Sequence, residues 1–240
     1  MRKLYEKSEL TFSLIFIAFY IVLFSVSDSL SAEIGLNKSI TVVTGAVLSV
    51  IILIFIAKNG LLKKYGLCRI QNGKLTGLDL IFFLFIISAN LWNGIELDFV
   101  GTETVCYIIS MLFVGFIEEV IFRGFLFKAL CKDSVKTAVA VSSLTFGAGH
   151  IVSLLNSADI TSTLLQICYA SAVGFAFTVF FLKKGSLLPC VAVHSIFNSL
   201  SILEAEAHGV QQVIIAVVLT VVPVVYGLML LKKSDKIIDK

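Results

Sequence analysis

Charge is what this sequence has least of. Asp, Glu, Lys and Arg make up 15% of its 240 residues, against about 25% in a soluble domain. Hydrophobic residues make up 58%, and the mean hydropathy is +1.00. This balance excludes a water-soluble globular protein, a disordered chain and a nucleic-acid binder, and a net charge of +3 names no partner. Proline is nearly missing, at two residues, and no Ser/Gly-rich stretch supplies a linker, so residues 1–240 read as a single membrane domain. The five cysteines contain no C-x-x-C pair and read as small hydrophobes rather than a disulfide or zinc framework. What remains is an all-α, polytopic integral membrane protein, expected in the cell membrane.

A bilayer core about 30 Å thick takes roughly 20 apolar helical residues. Apolar runs fall at 10–26, 40–57, 78–92, 104–130, 136–155, 164–182, 187–203 and 213–231. These predict about eight transmembrane helices, the third and seventh of them short. Basic residues resist translocation and therefore orient such a chain. Apart from Lys38 and Arg123, all 19 of them fall in alternate segments: the amino terminus, 58–74, 128–136, 183–184 and the carboxyl tail. The opposite segments hold Asp28, Glu33, Glu96, Asp98, Glu103, Asp159, Glu204 and Glu206. Eight spans with both termini cytoplasmic give this alternation. A cleaved signal peptide is the competing reading of residues 1–31, but its apolar run is longer than the roughly 7–15 residues of a signal core.

Arg123 is the basic residue left over, inside the fourth run and beside Glu118 and Glu119. An intramembrane charge costs about 2.5–3.5 kcal/mol on the insertion scale and usually marks function. Glu119 and Arg123 are spaced i, i+4 and can pair on one helix face. Glu118 points about 100° away and has no basic partner in the sequence. It must find hydrogen-bond donors, water or a cation, or be protonated, and a carboxylate placed in this way suits general-base work. An ion-pair network between helices is the structural alternative for the three charges.

Two of the three histidines also fall within apolar runs. His150 follows Phe146 by four residues, and His194 precedes Asn198 by four, so the latter two share a face and can donate to a common atom. Measured from the cytoplasmic ends of their spans, Glu118, His150 and His194 lie roughly 18, 21 and 10 Å deep, at 1.5 Å per residue. A lone intramembrane His often serves as a helix–helix hydrogen bonder. Two of them with a Glu, a Glu–Arg pair and an Asn are harder to explain that way, and a shared pocket is expected.

These residues carry a family likeness. Glu118-Glu119-x-x-x-Arg123 followed by Gly124, then Phe146-x-x-x-His150, then His194-x-x-x-Asn198 behind Gly185, Ser186 and Pro189, resemble the three ordered motifs of the CPBP intramembrane proteases. This is the CAAX-protease and bacteriocin-processing (Abi) family, with the type II CAAX prenyl endopeptidases as members. The resemblance covers residues 104–203, a core of four helices; the first three spans and the last carry nothing assignable to it. It implies an intramembrane endopeptidase acting on a lipid-anchored or membrane-embedded peptide. Glu118 with His150 would activate water, His194 and Asn198 would hold the oxyanion, and Glu119, Arg123 and Phe146 would support the site. The family is commonly described as metalloproteases, and Glu118, His150 and His194 could supply three zinc ligands. No H-E-x-x-H is present, however, and a metal-free glutamate mechanism uses the same residues. Both readings stay open.

Two other classes compete. A non-catalytic membrane partner or bacteriocin-immunity protein could keep the fold, and a transporter could use intramembrane acids, although no internal repeat supports the latter. Several smaller signals read plainly. The basic segment 58–74 is expected against anionic headgroups and Tyr65 and Trp92 as interfacial anchors, while Gly174 has no second small residue at the spacing that would argue for close helix approach. His208 beside Glu204 and Glu206 reads as an outer loop.

Overall fold

The structure is a computed structural model that describes residues 1–97, 99, 101–156 and 159–232. Asp98 and the tail residues Lys233, Lys236 and Lys240, used above in the charge count, lie outside the described residues. Within them the protein is helical, with no strand beyond an isolated bridge between Ile95 and Glu204.

The helices are α1 (Arg2–Lys7), α2 (Glu9–Ile34), α3 (Ser39–Lys58), α4 (Gly77–Ser88), α5 (Thr102–Glu119), α6 (Phe127–Leu130), α7 (Val135–Gly149), α8 (Ile160–Lys184), α9 (Leu188–Leu200) and α10 (Gly209–Lys232). A π-helical segment, Val120–Leu126, joins α5 to α6, and the 3-10 segments Ala89–Leu91, His150–Asn156 and Ser201–Leu203 extend α4, α7 and α9. Six of the resulting helical stretches are long and apolar enough to cross a membrane: Glu9–Ile34, Ser39–Lys58, Thr102–Leu130, Val135–Leu154, Ile160–Lys184 and Gly209–Lys232. The third and seventh runs of the sequence form the shorter apolar helices Gly77–Leu91 and Leu188–Leu203.

Polar side chains fix where several helices begin. Ser8, Thr76, Ser134 and Asp159 cap α2, α4, α7 and α8, each accepting from a backbone N–H three residues on, the usual remedy for orphan donors at a helix start. Asp79 returns the contact to Thr76 and completes a capping box. Outward positions such as Val22, Ile81, Leu84 and Leu144 remain exposed, because lipid rather than water surrounds a helix that is apolar on every side.

Aromatic packing builds the interior. Phe125 of the π-helical segment meets Phe12, Phe16, Phe55 and Tyr65 edge-on, while Phe82 of α4 stacks on Tyr226 of α10 with centroids 3.9 Å apart. Tyr65 is therefore buried, at 1% exposure, and its hydroxyl donates to Tyr5. The interfacial role expected for it does not hold. Nearby, Lys64 and Lys132 converge on Glu9 at 2.7 and 2.9 Å. Burial works against the charge of Lys64, but its hydrogen bonds to Glu9 and Tyr5 prevail and hold its pKa above the usual lysine value.

Segment 58–74 is tied to the helix bundle through its backbone. The backbone N–H groups of Gln71 and Asn72 donate to the Lys184 carbonyl, and Leu187 N–H donates to Gly66 O at 2.8 Å. Gly66 has φ +68°, and a Cβ there would run into Phe181 and the Leu187 backbone. Only glycine suits this close approach, which ties the segment to the turn that starts α9.

Candidate active site

Three elements carry the motif residues: the end of α5 with its π-helical extension, the end of α7, and α9. Helices α5 and α9 pack directly together, as do α7 and α8. Their separation is set by glycine. A Cβ on Gly115 would lie 2.6 and 2.7 Å from the backbone N and Cα of Ser195, and one on Gly147 would collide with Ser171.

Glu119 and Arg123 are fully buried, and Arg123 Nη1 lies 3.1 Å from Glu119 Oε1, as the i, i+4 spacing predicts. Arg123 lays its guanidinium on the Phe146 ring, 3.9 Å from the centroid, a cation–π contact strengthened by exclusion of water. None of its N–H groups aligns with an acceptor among the described residues. Gly174 leaves the space for this stack: a Cβ there would lie 2.8 Å from Arg123 Nη2 and 3.1 Å from Phe146. The same Glu119 oxygen is 2.8 Å from His194 Nδ1, so Glu119 orients the imidazole as well as neutralising the arginine.

Glu118 has the donors that its isolation in the sequence requires. Tyr20 of α2 donates its hydroxyl to Glu118 Oε1 at 2.7 Å. Oε2 lies 3.5 Å from His194 Nε2. The first span, which seemed to carry nothing for the site, thus contributes a direct partner. Tyr20 is 98 residues away from Glu118 and interrupts no apolar pattern, so nothing in the sequence points to it.

His150 begins the 3-10 segment after α7. Phe146 stands edge-on to both imidazoles, with centroids 5.6 Å from His150 and 5.6 Å from His194, which makes it the spacer between them. His150, His194, Asn198, Glu119 and Phe146 line one pocket of about 70 Å³. Glu118 and His150 line a second cavity of about 270 Å³ on the α2 side. All the motif residues are therefore near neighbours, but no hydrogen bond joins Glu118 to His150 among the described residues; the histidine nearest to the Glu118 carboxylate is His194.

This geometry bears on the zinc reading. A three-ligand site needs its donors within about 2.0–2.2 Å of one point. Among the described residues no three His, Cys, Asp or Glu side chains are arranged to hold a metal ion. His194 has Nδ1 engaged by Glu119, which leaves Nε2, 3.5 Å from Glu118 Oε2, as the nitrogen that faces Glu118.

Fold and site together define a helical membrane protein with a buried acid–imidazole–amide constellation. Residues 101–200 match the family model described as type II CAAX prenyl endopeptidase Rce1-like, the family that the three motifs resemble. The match suggests a protease function of the CAAX type. No curated protein and no solved structure matches the chain.

Proposed function

We propose that the protein is an intramembrane endopeptidase that hydrolyses a peptide bond in a lipid-anchored or membrane-embedded peptide, with eight passes and both termini cytoplasmic. The observation that carries this reading is Glu118, a carboxylate in the middle of a membrane helix held between the Tyr20 hydroxyl and the His194 imidazole. A structural ion pair accounts for Glu119 and Arg123 but not for Glu118.

In the proposed reaction Glu118 takes a proton from water as its oxygen attacks the scissile carbonyl carbon. The carbonyl oxygen, now anionic, accepts hydrogen bonds from Asn198 Nδ2 and His194 Nε2. His194 gives its Nδ1 edge to Glu119, so donation from Nε2 uses the doubly protonated ring. Electrostatic stabilisation of this kind is commonly the largest catalytic contribution. The C–N bond then breaks, and Glu118 returns its proton to the leaving amine. His150, which lines the same cavity as Glu118, acts with it on the attacking water. Arg123 and Phe146 keep Glu119, and through it His194, in place.

The match over residues 101–200 favours a prenylated C-terminal tail as substrate, with a precursor peptide as the other substrate to assay. Glu118→Ala and His150→Ala are each expected to abolish cleavage of a fluorogenic farnesylated peptide bearing a C-a-a-X tail, while the variants still insert into the membrane. Unchanged cleavage by either variant contradicts the assignment. Because the steps run through side chains alone, activity is expected to survive chelation of divalent metal. Loss on chelation that zinc restores would replace Glu118 as the base with a metal-bound water.

A further inference from the structure

Hydrolysis consumes one water per turnover, and this site is enclosed by apolar helices. On the reading above, water and peptide must both reach it. The two oxygens of Glu118 look in different directions: Oε1 toward Tyr20 on α2, and Oε2 toward His194 on α9. The cavities divide in the same way. Glu118 lines the α2-side cavity but not the pocket that holds His194 and Asn198, and His150 lines both.

The α2-side cavity has a mixed wall in which a line of polar side chains runs beside Ile21, Phe24, Met111 and Val114. From Glu118 and Tyr20 it runs past Ser25 to Asp28, Lys38 and Thr41. There Lys38 Nζ and Thr41 Oγ1 bond the two oxygens of Asp28, at 2.8 and 2.5 Å, and Asp28 and Lys38 are partly exposed. Its volume of about 270 Å³ accommodates several waters at about 30 Å³ each, and the walls supply the two or more polar partners that a buried water needs. This also gives Lys38 a place: the one basic residue on the acidic side of the chain pins the mouth of a polar cavity.

The pocket of His194 and Asn198 leads elsewhere. It shares Gln166, Tyr169, Phe197 and Leu219 with a much larger cavity of about 610 Å³ between α8, α9 and α10, whose wall includes Ala207.

We propose that the site is served by two separate routes. The Tyr20–Ser25–Asp28 cavity brings water to Glu118, and the α8–α9–α10 cavity brings the peptide to His194 and Asn198, with His150 and Glu118 on the boundary. Tyr20 is a positioning residue in this scheme, holding the Glu118 carboxylate at the boundary between the two cavities.

The test uses full-length protein with its native cysteines replaced and single thiols introduced, in a Glu118→Gln background so that bound peptide is not consumed. A small hydrophilic thiol reagent is expected to modify both Ser25→Cys and Ala207→Cys far faster than the lipid-facing Leu144→Cys. Saturating farnesylated C-a-a-X peptide is expected to slow modification of Ala207→Cys by about fivefold or more and that of Ser25→Cys by less than about twofold, since occupancy protects in proportion to the bound fraction. With Glu118 restored, Ser25→Leu should lower kcat about tenfold at a KM within about twofold, and Ala207→Trp should raise KM at unchanged kcat. A Ser25→Cys thiol as inert as Leu144→Cys, or one protected by peptide as well as Ala207→Cys, overturns the two-route proposal. Failure of the wild type to cleave any peptide overturns the protease reading instead, and the reactivity of Ser25→Cys without peptide still decides the water route.

Discussion

At the scale of single residues, one buried oxygen organises the site. Glu119 Oε1 receives both Arg123 and His194. Taking one partner of a buried charge pair away leaves the other uncompensated, at a cost of about 3–5 kcal/mol, whereas removing both together is far less costly. Arg123→Met should therefore be strongly destabilised in detergent, and the double variant Glu119→Gln/Arg123→Met should recover part of that loss. Equal melting temperatures for the single and double variants would contradict the coupling. This pair is readable from i, i+4 spacing alone. The His194–Glu119 bond is not, because it joins helices 75 residues apart, and neither is Tyr20, whose role depends on where α2 happens to pass.

Whole elements depend on a few backbone contacts, and two glycines of the fourth span separate motif from packing. Gly124 ends the Phe-Arg-Gly signature, yet a Cβ there meets nothing closer than 3.6 Å. Gly115 lies outside the motif, and its Cβ would press into the α9 backbone one residue from His194. Overpacking against backbone costs about 1–3 kcal/mol. Gly115→Ala should thus lower the melting temperature and reduce cleavage by displacing His194, whereas Gly124→Ala should be close to neutral in both assays. Helix existence was legible in the hydropathy, down to the two short runs. The π-helical turn that follows Glu119 was not: its cause is tertiary, and such insertions concentrate at functional sites. The latch of segment 58–74 onto the start of α9 escaped for a similar reason, since backbone hydrogen bonds leave no mark on side-chain pattern.

Over the whole molecule, charge is placed unevenly. Basic residues collect in alternate connecting segments, and acidic residues collect in the others. If the positive-inside rule orients this chain, thiols at Lys63→Cys and His208→Cys should react with impermeant reagents from opposite sides of the membrane, Lys63→Cys only from the cytoplasmic side. Reaction of both from one side would contradict the eight-pass arrangement. Sparse charge, which at first says merely that the chain is insoluble, is here divided between residues of the connecting segments and a few that line the interior.

The central claim is that Glu118 performs the chemistry. Its most direct test compares purified wild type with Glu118→Gln, a replacement of nearly the same shape that can still accept a hydrogen bond from Tyr20, on the farnesylated C-a-a-X peptide, with melting temperature and bound metal measured on the same samples. The account predicts cleavage by the wild type, loss of at least about a hundredfold in kcat for the variant, as for removal of a general base, and a melting temperature within a few degrees. A variant that folds equally well and cleaves at the wild-type rate would contradict it.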